Sequence, residues 1–87
     1  MSIMITVLYF ASIREHMGRG EDRLDTARDL TTVAALIRHL SETDSSFNDL
    51  IQSPNPPLIS VNQVFAETSS PITDGDEVGF FPPMTGG

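Results

Sequence analysis

The last six residues, Pro82-Pro83-Met84-Thr85-Gly86-Gly87, carry the group best suited to chemistry: a terminal carboxylate on two residues without side chains. Glycine has nothing to bury and loses the most backbone freedom on ordering, so a diglycine is a poor way to close a fold. It is a good way to pass a carboxylate through a channel too narrow for a Cβ atom. Pro82 and Pro83 fix two φ angles and favour an extended path. Together the six residues can reach about 20 Å at ~3.3 Å each. The expectation is a folded domain over residues 1–81 and a flexible tail over 82–87. Gly87 would be the reactive residue, and Gly86, Thr85, Pro83 and Pro82 the arm that delivers it.

The rest of the chain is poor in reactive groups. It has no cysteine, which excludes disulfides, thiolate metal sites and a cysteine nucleophile. His16 and His39 fall on expected helix surfaces with no partner at metal-ligand spacing, and both read as solvated. Asp74, Asp76 and Glu77 lack the twelve-residue pattern of a calcium loop and read as solvated carboxylates of a turn. The serine pairs Ser45-Ser46 and Ser69-Ser70 have no His and Asp arranged to activate them. No metal site, bound cofactor or stand-alone catalytic site is expected.

With twelve acidic and five basic residues the net charge is −7, opposite to what phosphate neutralisation in nucleic-acid binding requires. It favours partners with basic faces. All five basic residues are arginine, so the chain offers no lysine for an isopeptide bond. No apolar run is long enough for a membrane span, and the first residues lack the basic segment of a secretory signal; a cytoplasmic protein is expected.

These groups need a scaffold, and hydrophobic periodicity supplies one. Ile3–Phe10 alternates as a strand, with Ile5, Val7 and Tyr9 on one face and Thr6, Leu8 and Phe10 on the other. Ala11–Met17 suits a short helix stopped by Gly18, and Glu21–Leu24 a second strand. Thr32 caps a main helix whose Val33, Leu36, Ile37 and Leu40 form one apolar stripe, with Arg38, His39 and Glu42 on its wet side. Ser46–Ile51 adds a turn or two, with Phe47, Leu50 and Ile51 inward. After a proline-rich loop, Leu58–Val61 and Val64–Ala66 read as strands around an Asn62-Gln63 turn. A turn at Thr73-Asp74-Gly75-Asp76 leads into the strand Val78–Phe81. The result is an α+β, β-grasp arrangement: a mixed sheet, its most hydrophobic first and last strands central neighbours, and one main helix across one face.

The alternation leaves apolar residues on the wrong side. With Val78 and Phe80 inward, Phe81 points outward beside the tail, as does Phe10, and Phe65 follows a turn where exposure is common. Phe10, Phe65 and Phe81 would form one apolar patch at the root of the tail, the mark of a protein contact.

Val7-Leu8-Tyr9-Phe10-Ala11 with Arg14-Glu15, the Val61-Asn62-Gln63 turn, Pro71–Val78 and the closing Phe80-Phe81-Pro82-Pro83-Met84-Thr85-Gly86-Gly87 resemble the small subunit of molybdopterin synthase. The resemblance runs from the first strand to the last residue. It implies a ubiquitin-like β-grasp fold and a sulfur carrier within a heterotetrameric sulfurtransferase. The Gly87 carboxylate would be adenylated with ATP by an adenylyltransferase related to ubiquitin-activating enzymes. A sulfur donor protein would convert it to a thiocarboxylate. The large synthase subunit would then pass the sulfur to cyclic pyranopterin monophosphate in molybdenum cofactor biosynthesis. Phe10, Phe65 and Phe81 match the family's partner-facing positions. The alternatives are a carrier for thiamine, cysteine or tRNA thiolation, a ubiquitin-like modifier joined to lysines of other proteins, and a plain interaction domain.

Overall fold

The computed structural model describes residues 2–83 of the chain. Thr85, Gly86 and Gly87, expected to form the reactive end of the tail, therefore lie outside the described residues. Eight elements follow in order: β1 (Ser2–Tyr9), α1 (Ala11–Met17), β2 (Glu21–Ala27), α2 (Val33–Thr43), α3 (Ser45–Gln52), β3 (Leu58–Val61), β4 (Val64–Ala66) and β5 (Glu77–Phe81). The strands make one mixed sheet in the order β2-β1-β5-β3-β4. β1 and β5 are parallel neighbours at its centre, as their apolar composition predicts, and the other pairings are antiparallel.

One face of the sheet is covered. Ile5, Val7 and Tyr9 from β1 and Val78 and Phe80 from β5 meet Ile13 and Met17 of α1, Val33, Leu36 and Leu40 of α2, and Phe47 of α3 in a single buried cluster. Phe80 lies at its centre, edge-to-face against Phe47 at 5.2 Å between ring centroids. Leu30 and Ile72 complete the core from loops, where no periodicity marks them as inward. Their burial follows from a loop-to-helix junction. Ile72 N–H donates to Thr31 O at 2.9 Å, and Val33 N–H and Ala34 N–H donate to Ser70 O and Thr68 O. The first amides of α2, which have no partner within the helix, are thus satisfied by a neighbouring loop and by the Thr32 hydroxyl, which accepts from Ala35 N–H at 3.2 Å.

Three expectations are adjusted. β2 runs on to Ala27 because its seven residues pair continuously with β1, from Leu8↔Glu21 to Ser2↔Ala27. Ser46–Ile51 is not a continuation of α2 but a separate helix. Asp44 sits between the two in extended conformation, and its carboxylate accepts from Ser46 N–H at 2.9 Å and Phe47 N–H at 3.4 Å. A residue that ends one helix thereby starts the next and turns Phe47 into the core, while Leu50 and Ile51 are only half-buried. Phe10 leaves the strand and becomes the residue before α1, where Ala11 adopts a left-handed φ of 52°.

Candidate functional site

The uncovered face of the sheet contains the site, and the register dictates its shape. Across the middle of the sheet the pairs Leu8↔Gly79, Gly79↔Ser60 and Ser60↔Phe65 place four residues in one outward row. Two small residues lie between two large ones, so the row sags into a trough. Phe81, two residues beyond Gly79 on β5, rises on one side of it. Phe10 closes the end, its ring stacked on that of Phe81 at 4.4 Å with planes 6° apart. Phe65 approaches the other side of Phe81 at 6.2 Å. The three aromatics therefore meet on one face although they come from three separate parts of the chain. Their exposures differ: Phe65 is 75% exposed, Phe10 37%, and Phe81 is half-buried between them.

Gly79 makes this arrangement possible. A Cβ there would lie 2.7 Å from Ser60 Oγ, 3.0 Å from Phe10 Cε2 and 3.3 Å from Phe81 Cε1. The absence of a side chain lets both rings close over the strand. The trough encloses about 280 Å³ and is bounded by Leu8, Phe10, Ser60, Gln63, Glu77, Gly79 and Phe81. Strand alternation marks Leu8 and Phe81 as outward. No local signal in the sequence identifies Gly79, Ser60, Gln63 or Glu77 as their neighbours.

The turn before β5 is held by the carboxylates that the sequence suggested were solvated. Asp74 Oδ1 accepts from Met4 N–H at 2.7 Å, and Asp76 accepts from Thr73 N–H at 2.8 Å and from Asn62 Nδ2 at 3.0 Å. Asn62 then ties this turn to the β3–β4 turn, accepting from Glu77 N–H and donating its own N–H to Glu77 O. Asn62 and Gln63 have φ of 50° and 68°, the left-handed pair of a tight hairpin. Glu77 differs from the two aspartates: among the described residues its carboxylate has no ion pair and no hydrogen-bond partner.

A polar cluster fixes the end of β1 from which Phe10 emerges. The Tyr9 hydroxyl donates to Asp22 Oδ2 at 2.8 Å, and Arg19 Nε donates to both Asp22 oxygens at 2.8 Å. Arg19 Nη2 reaches Asp44 Oδ2 at 2.6 Å, and its guanidinium carbon lies 5.6 Å from the Tyr9 ring centroid. One arginine thus joins the segment after α1, the start of β2 and the cap of α3. Burial, followed by the hydrogen bond to the Asp22 carboxylate, raises the Tyr9 hydroxyl far above the usual phenol range. The hydrogen bond from Arg19 is the main influence holding the Asp44 carboxyl below its ordinary value, with the Phe47 and Ser46 amides adding to it and partial burial opposing it.

Pro82 and Pro83 leave β5 half-buried, beside a second hollow of about 250 Å³ lined by Ser12, Ile13, His16, Leu50, Asn55 and Pro57. The root of the tail therefore runs between α1 and the end of α3. His16 is not simply solvated, since its Nε2 donates to Ser46 O at 2.8 Å and links those helices. Among the described residues no three His, Asp or Glu side chains converge to hold a metal ion, and no helix is long and apolar enough to cross a membrane.

The ThiS family profile matches residues 7–87. The molybdopterin synthase sulfur carrier subunit of Escherichia coli is 43% identical over 84 residues, covering 97% of this chain and all of that protein. The subunit of the same name from Haemophilus influenzae is 34% identical, with the same coverage. Among solved structures, SAMP1 from Haloferax volcanii superposes with a TM-score of 0.79 over 97% of this chain and 99% of that one; at 22% identity this likeness establishes the ubiquitin-like β-grasp fold alone.

Proposed function

Because the chain belongs to the ThiS family, we propose that it is the sulfur carrier subunit of molybdopterin synthase. The observation that carries this reading is the end-to-end match to the Escherichia coli carrier subunit. The aromatic face at the root of the tail supports it, because a carrier without its own catalytic site must dock on enzymes that have one.

The Gly87 carboxylate is the reactive group. A carboxylate resists nucleophiles because neither oxygen leaves readily, and transfer of AMP from ATP supplies a leaving group. The carboxylate oxygen bonds to the α-phosphorus and pyrophosphate departs. A donor delivering sulfur at the sulfide level then bonds to the carbonyl carbon and AMP leaves, giving a thiocarboxylate. Its sulfur is a soft nucleophile obtained without any cysteine. It passes to cyclic pyranopterin monophosphate at the large subunit, and water returns the terminus to a carboxylate. ATP is bound by the activating adenylyltransferase, and this chain holds no cofactor. Gly86 and Thr85 thread the partner's site while Pro82 and Pro83 stiffen the approach. We assign the cycle to the cytoplasm.

Phe10, Phe65 and Phe81 form the docking surface for the large subunit and for the activating enzyme in turn. One patch cannot be covered twice, so the two complexes exclude each other.

Intact-mass measurement after co-expression with an activating enzyme and a sulfur source tests the reading. The expected product is heavier by the difference between sulfur and oxygen. That gain is expected to vanish when Gly87 is deleted or one residue is added after it. Sulfur transfer by either variant would refute the terminal-carboxylate mechanism, and recovery only as adducts on lysines of other proteins would favour a modifier.

A further inference from the structure

We infer that the trough on the open sheet face receives an arginine side chain from the docking partner, with Glu77 as its counter-ion. This deepens the reading just given, since it rests on that face being a docking surface and specifies what the partner places there.

The trough is lined mainly by apolar surface from Leu8, Phe10 and Phe81, and Ser60, Gln63 and Glu77 are the polar residues on its border. Its volume of about 280 Å³ is ample for one inserted side chain. The small pair Gly79 and Ser60 at the floor gives it depth.

Charge decides the occupant. An apolar side chain seated here would strip water from the Glu77 carboxylate and return nothing, a costly exchange. Asp74 and Asp76 in the same turn are committed to backbone amides and to Asn62, whereas Glu77 has no partner among the described residues. A cation of this chain does share the face. Arg23 lies in the row Arg23↔Thr6↔Glu77, two strands away, but it pairs with Glu21 at 3.5 Å. The chain's net charge of −7 further selects a basic partner surface. Between the two cations, the lining favours arginine. A guanidinium stacks on aromatic rings and offers several donors in one plane, to carboxylate, hydroxyl and amide together, while an ammonium is a compact and strongly hydrated point charge.

The test uses the full chain and three small probes: N-acetyl-arginine methylamide, N-acetyl-lysine methylamide and N-acetyl-leucine methylamide. Amide proton–nitrogen spectra are recorded during titration. The arginine probe is expected to give saturable shifts centred on Leu8, Ser60, Gln63, Glu77 and Gly79, weakening with added salt. Glu77→Gln is expected to reduce its affinity about fivefold, as for a partly exposed ion pair. Asp49→Asn, an equal charge change on the exposed side of α3, is expected to leave it unchanged. Absence of saturable shifts at the trough, equal responses to the lysine or leucine probe, or equal affinity in the Glu77→Gln variant would each overturn the inference. The measurement needs neither ATP nor sulfur, so its failure leaves the carrier function standing. Failure of the mass test would remove the carrier function without touching this binding result.

Discussion

Phe65 and Phe47 are the same residue type at opposite extremes of exposure, 75% and 0%, and replacing each by alanine separates docking from stability. A phenylalanine side chain presents about 200 Å² when fully exposed, so Phe65 offers about 150 Å² to a partner. Alanine retains a methyl group and removes about 100 Å² of that contact. At ~25 cal/mol per Å² the loss on binding is about 2.5 kcal/mol, or about 70-fold in Kd. The isolated chain is expected to lose no more than about 0.5 kcal/mol of stability, because Phe65 buries little within it. For Phe47→Ala the expectation is reversed. The ring packs edge-to-face on Phe80 in the centre of the core, and its removal is expected to cost about 4 kcal/mol of folding stability. Calorimetric titration with the large synthase subunit and urea unfolding of the free chain measure the two quantities. A change in Kd below about threefold for Phe65→Ala, worth about 0.6 kcal/mol, would remove this ring from the docking surface. Equal destabilisation by both variants would refute the separation of core face from open face.

Three further outcomes follow from the polar contacts. Arg19→Met is expected to lower stability by about 1 kcal/mol, the modest value reflecting a half-exposed ion pair, and Asp44→Asn in the same background should add less than it does alone; additive effects in a urea double-mutant cycle would show the two side chains to be uncoupled. The Asp44 carboxyl is held below its ordinary value when folded, so its ionic contribution is fully present above the unfolded value of about 4 and is lost as pH falls through the lower folded value. The fall in urea midpoint over that acid range should be smaller in Asp44→Asn, which keeps a cap but cannot titrate; an identical acid profile would show that Arg19 does not stabilise the charge. Thr32→Ala should cost about 1 kcal/mol by removing the acceptor for Ala35 N–H, and unchanged thermal unfolding would mean that the loop carbonyls alone cap α2.

What the sequence determined by itself is the part of the molecule governed by short-range periodicity. Alternation over Ile3–Phe10 separated the core residues Ile5, Val7 and Tyr9 from Leu8 and Phe10. The spacing of Val33, Leu36 and Leu40 gave the buried stripe of α2, and the Thr32 cap was legible from residue type alone. The Pro-Pro and Gly-Gly pairs were legible in the same way, as backbone chemistry. The tertiary structure decided which strands became neighbours and in what register. Leu8, Gly79, Ser60 and Phe65 lie in one row only because β5 enters between β1 and β3, and no nearby residue of any of them records that choice. Arg19 and Asp22 are neighbours three residues apart, but Asp44 joined them only once the start of α3 was brought against the segment between α1 and β2. The physical reason is that a residue's face is set by the geometry of its own segment, whereas its neighbours across a sheet are set by which distant backbones exchange hydrogen bonds, a choice made by the burial of the whole core.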